Sequence, residues 1–249
     1  MSTDYTAFRR RRRPVRAALR WLARRAFSLL SHLEIEGREN LPSSGPLIVV
    51  ANHFNFADPA LMVAIAPWPL EFLGGINMRH APRLVHWIPK AWGYFRVLRG
   101  TASRDALRAA EQVLREGGVI GIYPEATAGA AILRPARPGT AFLAARTGVP
   151  ILPIAFEGMH YLFPSLRQGR RARIRVRIGE LLGPFTAIGH GRERRRQLDK
   201  ITDEIMQHIA ELLPPDRRGY YSDDPAQRAE AACANDYDYG FRPEIERDI

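Results

Sequence analysis

Hydrophobic positions along this chain recur first with the period of a helix and then in short runs with none. Residues 15–33, VRAALRWLARRAFSLLSHL, place Val15, Ala18, Leu19, Leu22, Ala26, Leu29, Leu30 and Leu33 within one arc of about 120° at roughly 100° per residue, which predicts an amphipathic helix. Arg16, Arg20 and Arg24 fall together beside that stripe, with Trp21 and Phe27 at its borders. A helix lying in a membrane interface has this arrangement, and so does one covering its own protein's core. Farther on, LIVVA (47–51), VIGIY (119–123) and VPILPIAF (149–156) are uncharged and bounded by Gly, Pro or Asn, which predicts strands buried on both faces. Between them Ser103 opens a helix that Gly117 and Gly118 stop after Glu116, and GTAFLAART (139–147) is helical up to Gly148.

Helices alternating with uncharged strands predict the α/β class, a central, mostly parallel sheet flanked by helices. Such sheets bind ligands beyond the carboxyl ends of their strands. RIRVRI (173–178) alternates arginine with branched apolar residues and predicts a strand with one wet, positive face. RRRQLDKITDEIMQHIAELL (194–213) predicts an amphipathic helix burying Leu198, Ile201, Ile205, Ile209 and Leu212. From Pro214 onward, prolines, acids and tyrosines without periodicity predict a loosely ordered tail. The expected organisation is a basic amphipathic segment (1–34), an α/β domain (35–213) and a polar acidic tail (214–249).

Charge sharpens this picture. The formal net charge is +11, and residues 1–25 alone hold nine arginines against one aspartate. That clustering points to an anionic surface as partner, and a membrane leaflet suits the helix that follows. The apolar run PALMVAIAPWPL (59–70) is shorter than the roughly 18 residues of a spanning helix and contains three prolines, and residues 14–33 are too charged for the core of a signal peptide. The single cysteine, Cys233, cannot form an intramolecular disulfide, so a reducing cytosol fits. The expectation is a cytoplasmic protein, peripheral on the inner face of the membrane.

Candidate chemistry concentrates in VVANHFNFADPAL (49–61). Asp58 before Pro59 is a helix start, with aspartate at the N-cap and proline at the first helical position. His53 follows a strand end. If the strand ends at Asn52, loop 53–57 can fold back so that the Asp58 carboxylate accepts a hydrogen bond from one imidazole nitrogen, leaving the other to take a proton. The chain has no G-x-S-x-G elbow, and Cys233 lies in the expected tail, so a substrate hydroxyl is the expected nucleophile. His53, Asp58, His80 and His86 could ligate a metal, but H-E-x-x-H and paired-cysteine spacings are missing and no metal is expected. P-loop, G-x-G-x-x-G and nucleic-acid modules are likewise missing, and no nucleic acid is expected.

NHFNFAD (52–58) resembles the H-x-x-x-x-D block of the glycerolipid and lysophospholipid acyltransferase family, and three more blocks follow in that family's order. GYFRVLR (93–99) is similar to its G-x-x-x-x-x-R block, YPEAT (123–127) to its F-P-E-G-T block, and VPILPI (149–154) to its last, proline-containing block. The resemblance covers residues 35–180. It implies an acyl-CoA or acyl carrier protein donor, a lysophosphatidate-type acceptor and no further cofactor. It also implies that His53 deprotonates the acceptor hydroxyl while Asp58 orients the imidazole. By the same resemblance Arg99 takes the acceptor's phosphate, Glu125 and Thr127 its head group or the loop around it, and Gly93, Asn52 and Pro150 complete the substrate-binding set. One departure bears on the acceptor: where the family continues E-G-T-R, this chain reads EATAG, with Ala126 for the glycine and Ala128 for the arginine. The lost phosphate fork leaves Arg96, Arg134 or Arg137 to replace it. An acceptor without phosphate and a non-enzymatic binder of lipid or nucleic acid are the alternatives.

Overall fold

The computed structural model describes residues 5–74, 81–93, 95–96, 104–126 and 129–233. Its centre is β2 (Leu47–Ala51), every residue of which is buried, flanked by β5 (Val119–Ile122) and β6 (Ile151–Glu157) in parallel register. With β3 (Leu70–Gly74), β4 (Phe95–Arg96), β1 (Ser31–Glu36) and β7 (Ala172–Ile178) they make a seven-stranded sheet in the order β1-β7-β6-β2-β5-β3-β4. Uncharged strands sit in the middle because both of their faces are covered. Ile48, Val50, Ile120 and Ile122 pack under α4 (Arg104–Arg115), α5 (Gly139–Thr147) and α7 (Gly191–Leu212). Leu47, Val49, Ala51 and Ile154 pack under α1 (Tyr5–Leu30) and α2 (Asp58–Ile65).

One edge of the sheet is reversed. β7 runs antiparallel to β6, and β1 is parallel to β7, so Ser31 and Ala172 stand at the end where the parallel strands finish. Gly158, at φ 83, makes the turn after β6 possible, since a Cβ there would collide with the carbonyl of Arg173. The turn and α6 (Leu162–Arg167) then lead into β7.

Apart from α1, which begins ten residues earlier than expected, the helices and strands read from the sequence are present within about three residues of their expected bounds. β3 carries the charged Glu71 inside the sheet, which hid it from an apolar-run criterion. The amphipathic helix ends at Leu30 rather than Leu33, because Ser31, His32 and Leu33 pair with β7. A domain boundary at residue 34 would cut β1.

The inward face of α1 is built largely from arginine. Four arginines spaced by four residues face the protein. Arg12 donates to the carbonyls of Lys90 and Ala91, and Arg16 Nε to that of Trp92 at 2.8 Å, at the end of α3 (Trp87–Trp92). Arg20 and Arg24 donate to the carbonyls of Ala66 and Ala64 at the end of α2. Helix ends present unsatisfied carbonyls and a negative dipole, which is what attracts the guanidinium groups. Arg16 also holds Glu71 with two bonds of 2.5 and 2.7 Å, both side chains being buried. Much of the stripe consequently faces out, Val15 being 41% exposed, Leu22 51% and Leu29 71%, while Leu19 and Leu33 pack against the core. Among the described residues no helix is long and apolar enough to cross a membrane.

Beyond Pro214 the chain carries structure as far as Cys233, through two 3-10 turns and α8 (Pro225–Cys233). Leu133 N–H donates to the Arg217 carbonyl at 3.0 Å, and Ala136 N–H to the Tyr221 hydroxyl at 3.1 Å. The rest of the expected tail, 234–249, lies outside the described residues.

Candidate active site

Strand β2 delivers the chain to the carboxyl end of the sheet, where Asn52 fastens it. The Asn52 amide donates to the Phe156 carbonyl at 2.9 Å and accepts the Phe156 N–H at 2.7 Å, fully buried. These bonds make it a tie between β2 and β6, and a buried amide so committed does not fit the substrate contact expected of it. The chain then turns back through residues 53–57. Asn55 Oδ1 accepts the Ala57 N–H at 3.0 Å, and Asn55 Nδ2 donates to the Met159 carbonyl at 3.1 Å, pinning the loop to the turn after β6.

The turn brings Asp58 to His53. His53 Nδ1 lies 3.0 Å from Asp58 Oδ2, which also accepts the Asn55 N–H at 2.8 Å. Asp58 begins α2, and its carboxylate satisfies this loop instead of acting as an N-cap, which falls to Ala57. Burial pushes the Asp58 carboxyl above its ordinary pKa, opposed by the hydrogen bond and charge of His53 and by the N–H groups of Asn55 and Phe54. With Asp58 ionised the network assigns the proton to Nδ1, so Nε2 carries the lone pair. The His53 side chain is 17% exposed, and among the described residues Nε2 makes no hydrogen bond.

Two residues of the 123–125 segment hold the same histidine. The Tyr123 ring stacks on the imidazole with centroids 4.2 Å apart and planes at 21°. Glu125 Oε1 accepts the backbone N–H of His53 at 2.8 Å and Oε2 that of Arg134 at 2.9 Å. Burial pushes the Glu125 carboxyl up to about 7, while these two N–H donors and the charges of His53 and Arg134 oppose the shift. Glu125 is thus a clamp between the histidine loop and the segment carrying Arg134. Arg137 N–H donates to the Pro124 carbonyl at 3.0 Å, so Arg137 belongs to the same rim.

The structure therefore brings His53 and Asp58 together, the contact the spacing suggested, whereas Glu125, expected at the acceptor's head group or the loop around it, is buried with both oxygens on backbone N–H groups. The structure does not join Pro150 to the pair. The Pro150 carbonyl accepts the Ile48 N–H, at the start of β6 and six residues of strand, about 20 Å, from His53. The register of two parallel strands, invisible in a motif, puts Pro150 at the wrong end of the sheet for substrate contact. Gly93 is buried at φ 81 and ends α3, donating to the Pro89 carbonyl at 2.9 Å, a role in backbone geometry. Arg99, Thr127 and His80 lie outside the described residues. The ring of His86 meets the Ala81 carbonyl at 3.1 Å, and no group of three metal-ligating side chains occurs among the described residues. The stacking of Tyr123 escaped the sequence reading, because it depends on the adjacency of β2 and β5.

A family model described as Acyltransferase matches residues 32–157. A chloroplastic 1-acyl-sn-glycerol-3-phosphate acyltransferase of Brassica napus is 27% identical over 184 residues, 72% of this chain and 50% of that protein. A 1-acyl-sn-glycerol-3-phosphate acyltransferase of Chlamydomonas reinhardtii is 28% identical over 191 residues, 74% of this chain and 54% of that protein. The chain spans about half the length of these curated relatives. The crystal structure of the 1-acyl-sn-glycerophosphate (LPA) acyltransferase of Thermotoga maritima matches the fold with a TM-score of 0.57 at 27% identity, covering 85% of this chain and 83% of that one.

Proposed function

The chain belongs to the acyltransferase family, and from that premise we propose that it moves a fatty acyl group from an acyl thioester to the free hydroxyl of a lysophosphatidate-type acceptor. The observation that carries this reading is the His53 and Asp58 pair, 3.0 Å apart at the carboxyl end of the sheet, with Nε2 unengaged among the described residues. The names of the relatives support the acceptor.

The chemistry follows from the tautomer. Nε2 takes the acceptor's hydroxyl proton as its oxygen attacks the thioester carbonyl carbon; a C–O bond forms and the carbonyl electrons move to oxygen. The tetrahedral intermediate collapses, the C–S bond breaks, and the thiolate leaves and takes the proton from the imidazolium. A thiol of pKa about 8.5 leaves without a strong acid, so one histidine serves both steps. Asp58 holds the ring and stabilises its positive form, and no acyl-enzyme is needed. Arg134 and Arg137 border the site and are our candidates for the acceptor's phosphate, in place of the arginine that Ala128 replaces. The donor is acyl-CoA or an acylated carrier protein, with no other cofactor.

The outward stripe of α1 supports peripheral docking on the cytoplasmic leaflet, where such an acceptor resides. Residues 5–30 form the docking helix in this reading, and the sheet from Ser31 onward forms the catalytic unit.

A panel of acceptors tests the proposal, with thiol release from palmitoyl-CoA as the readout. Lysophosphatidate should support turnover at least about tenfold faster than monoacylglycerol, the value of one phosphate contact. Equal rates would remove the phosphate from the account, and release of free fatty acid without acceptor would make the protein a hydrolase.

A further inference from the structure

The positive strand RIRVRI is only partly neutralised. On its wet face Arg175 meets Glu34 at 3.1 Å and Glu36 at 3.2 Å, and Arg177 meets Glu36 at 3.1 Å and Glu157 at 2.9 Å. The pattern stops one pair short of the carboxyl-end rim. There Arg173 stands opposite His32 instead of an acid, and Arg170 and Arg171 precede it. Arg170 donates to Gln168, and Arg171 to the carbonyls of Ser28 and Ser31; no ion pair to any of the three arginines is found among the described residues.

These cations line a groove of about 670 Å³, formed by His32, Tyr161, Ser165, Arg170, Arg171 and Arg173. It lies at the same carboxyl end of the sheet as the reactive histidine and is linked towards it by a row of rings. Tyr161 packs on His160 with ring centroids 3.9 Å apart, His160 meets Phe54 at 6.4 Å, and Phe54 follows His53. Arg171 reaches the last turn of α1 at the edge of the sheet, while Arg173 and His32 turn away from that helix. Ala172, Ile174 and Phe27 of α1 share one core cluster, so the alternation of β7 and β1 aims Arg173 and His32 at the opposite face of the sheet.

We propose that this groove binds the phosphorylated nucleotide end of coenzyme A, the carrier half of the acyl donor. The assignment rests on the acyl-transfer reading. Its charge complements a 3′-phosphate and a diphosphate, for which guanidinium forks are the apt partners. Tyr161 is 52% exposed and offers a ring for adenine to stack on. The pantetheine arm then runs over Tyr161 and His160 to His53. The donor enters from the β1–β7 edge of the sheet and the lipid acceptor from the outward face of α1.

The test uses the full chain and coenzyme A itself, titrated by calorimetry without turnover. The Arg170→Ala/Arg173→Ala variant should bind it at least about tenfold more weakly, ~1.4 kcal/mol. The KM for palmitoyl-CoA should rise with kcat unchanged, and the KM for S-palmitoyl pantetheine, which lacks the nucleotide, should not move. Unchanged coenzyme A affinity in the folded variant would overturn the assignment. So would retained affinity with lost binding of acyl carrier protein, or of phosphatidylglycerol vesicles, which would give the cations to those partners. If the wild-type chain binds coenzyme A through these arginines yet transfers no acyl group, the groove stands and the acyl-transfer reading falls. If it transfers acyl groups but the arginines do not affect the nucleotide, the reverse holds.

Discussion

Ala126 sits at φ 59, the one described non-glycine residue with a left-handed backbone, at the position where the family motif has glycine. A Cβ in that region costs about 1–2 kcal/mol. The turn is retained because the Ala126 N–H donates to the Tyr123 carbonyl at 3.0 Å and Glu125 is anchored at both oxygens. Ala126→Gly should therefore raise the unfolding free energy by about 1 kcal/mol in urea denaturation, the relief of strain exceeding the added chain entropy. A loss of stability would mean that the alanine side chain makes contacts worth more than its strain. At this scale the sequence was most legible where the interaction is local. His53 and Asp58 are five positions apart and meet through one turn, so their spacing announced the pair. The placement of Asn52 and Pro150 was not legible, because it depends on Phe156 and Ile48, partners on strands distant in the chain.

Helix α1 shows what periodicity can and cannot establish. The apolar stripe and the arginine row were both apparent, but which of them faces the protein depends on what the protein offers. The carbonyl ends of α2 and α3, and the carboxylate of Glu71, supply acceptors that no reading of residues 15–33 contains. Arginine thus turned inward, and Leu22, Leu29 and Leu30 outward. The Arg16 and Glu71 pair is 7% and 1% exposed at its side chains, so Arg16→Ala strips a buried carboxylate of its guanidinium and should cost about 3–5 kcal/mol. The paired change Arg16→Met/Glu71→Leu should recover most of that loss. Chemical denaturation of both variants decides the matter; a cost below about 1 kcal/mol for the single change would show that water reaches Glu71 readily.

For the molecule as a whole, alternation of helices with uncharged strands disclosed the class, while strand order and the reversed β7 and β1 edge did not follow from it. Register is set by long-range pairing, and the edge matters because it carries His32 and Arg173 up to the rim where His53 stands. The resulting arrangement places the cationic groove at the β1–β7 edge of the sheet, at the same carboxyl end as the histidine, and the apolar face of α1 on one side of it. The central claim is that His53, aimed by Asp58, accepts the proton of the incoming hydroxyl. Thiol release from palmitoyl-CoA with lysophosphatidate, compared between wild type and His53→Ala proteins of equal thermal stability and equal coenzyme A affinity, tests it directly. The account predicts a fall in kcat of about 10²- to 10⁴-fold with the donor still bound. Turnover within threefold of wild type would contradict it.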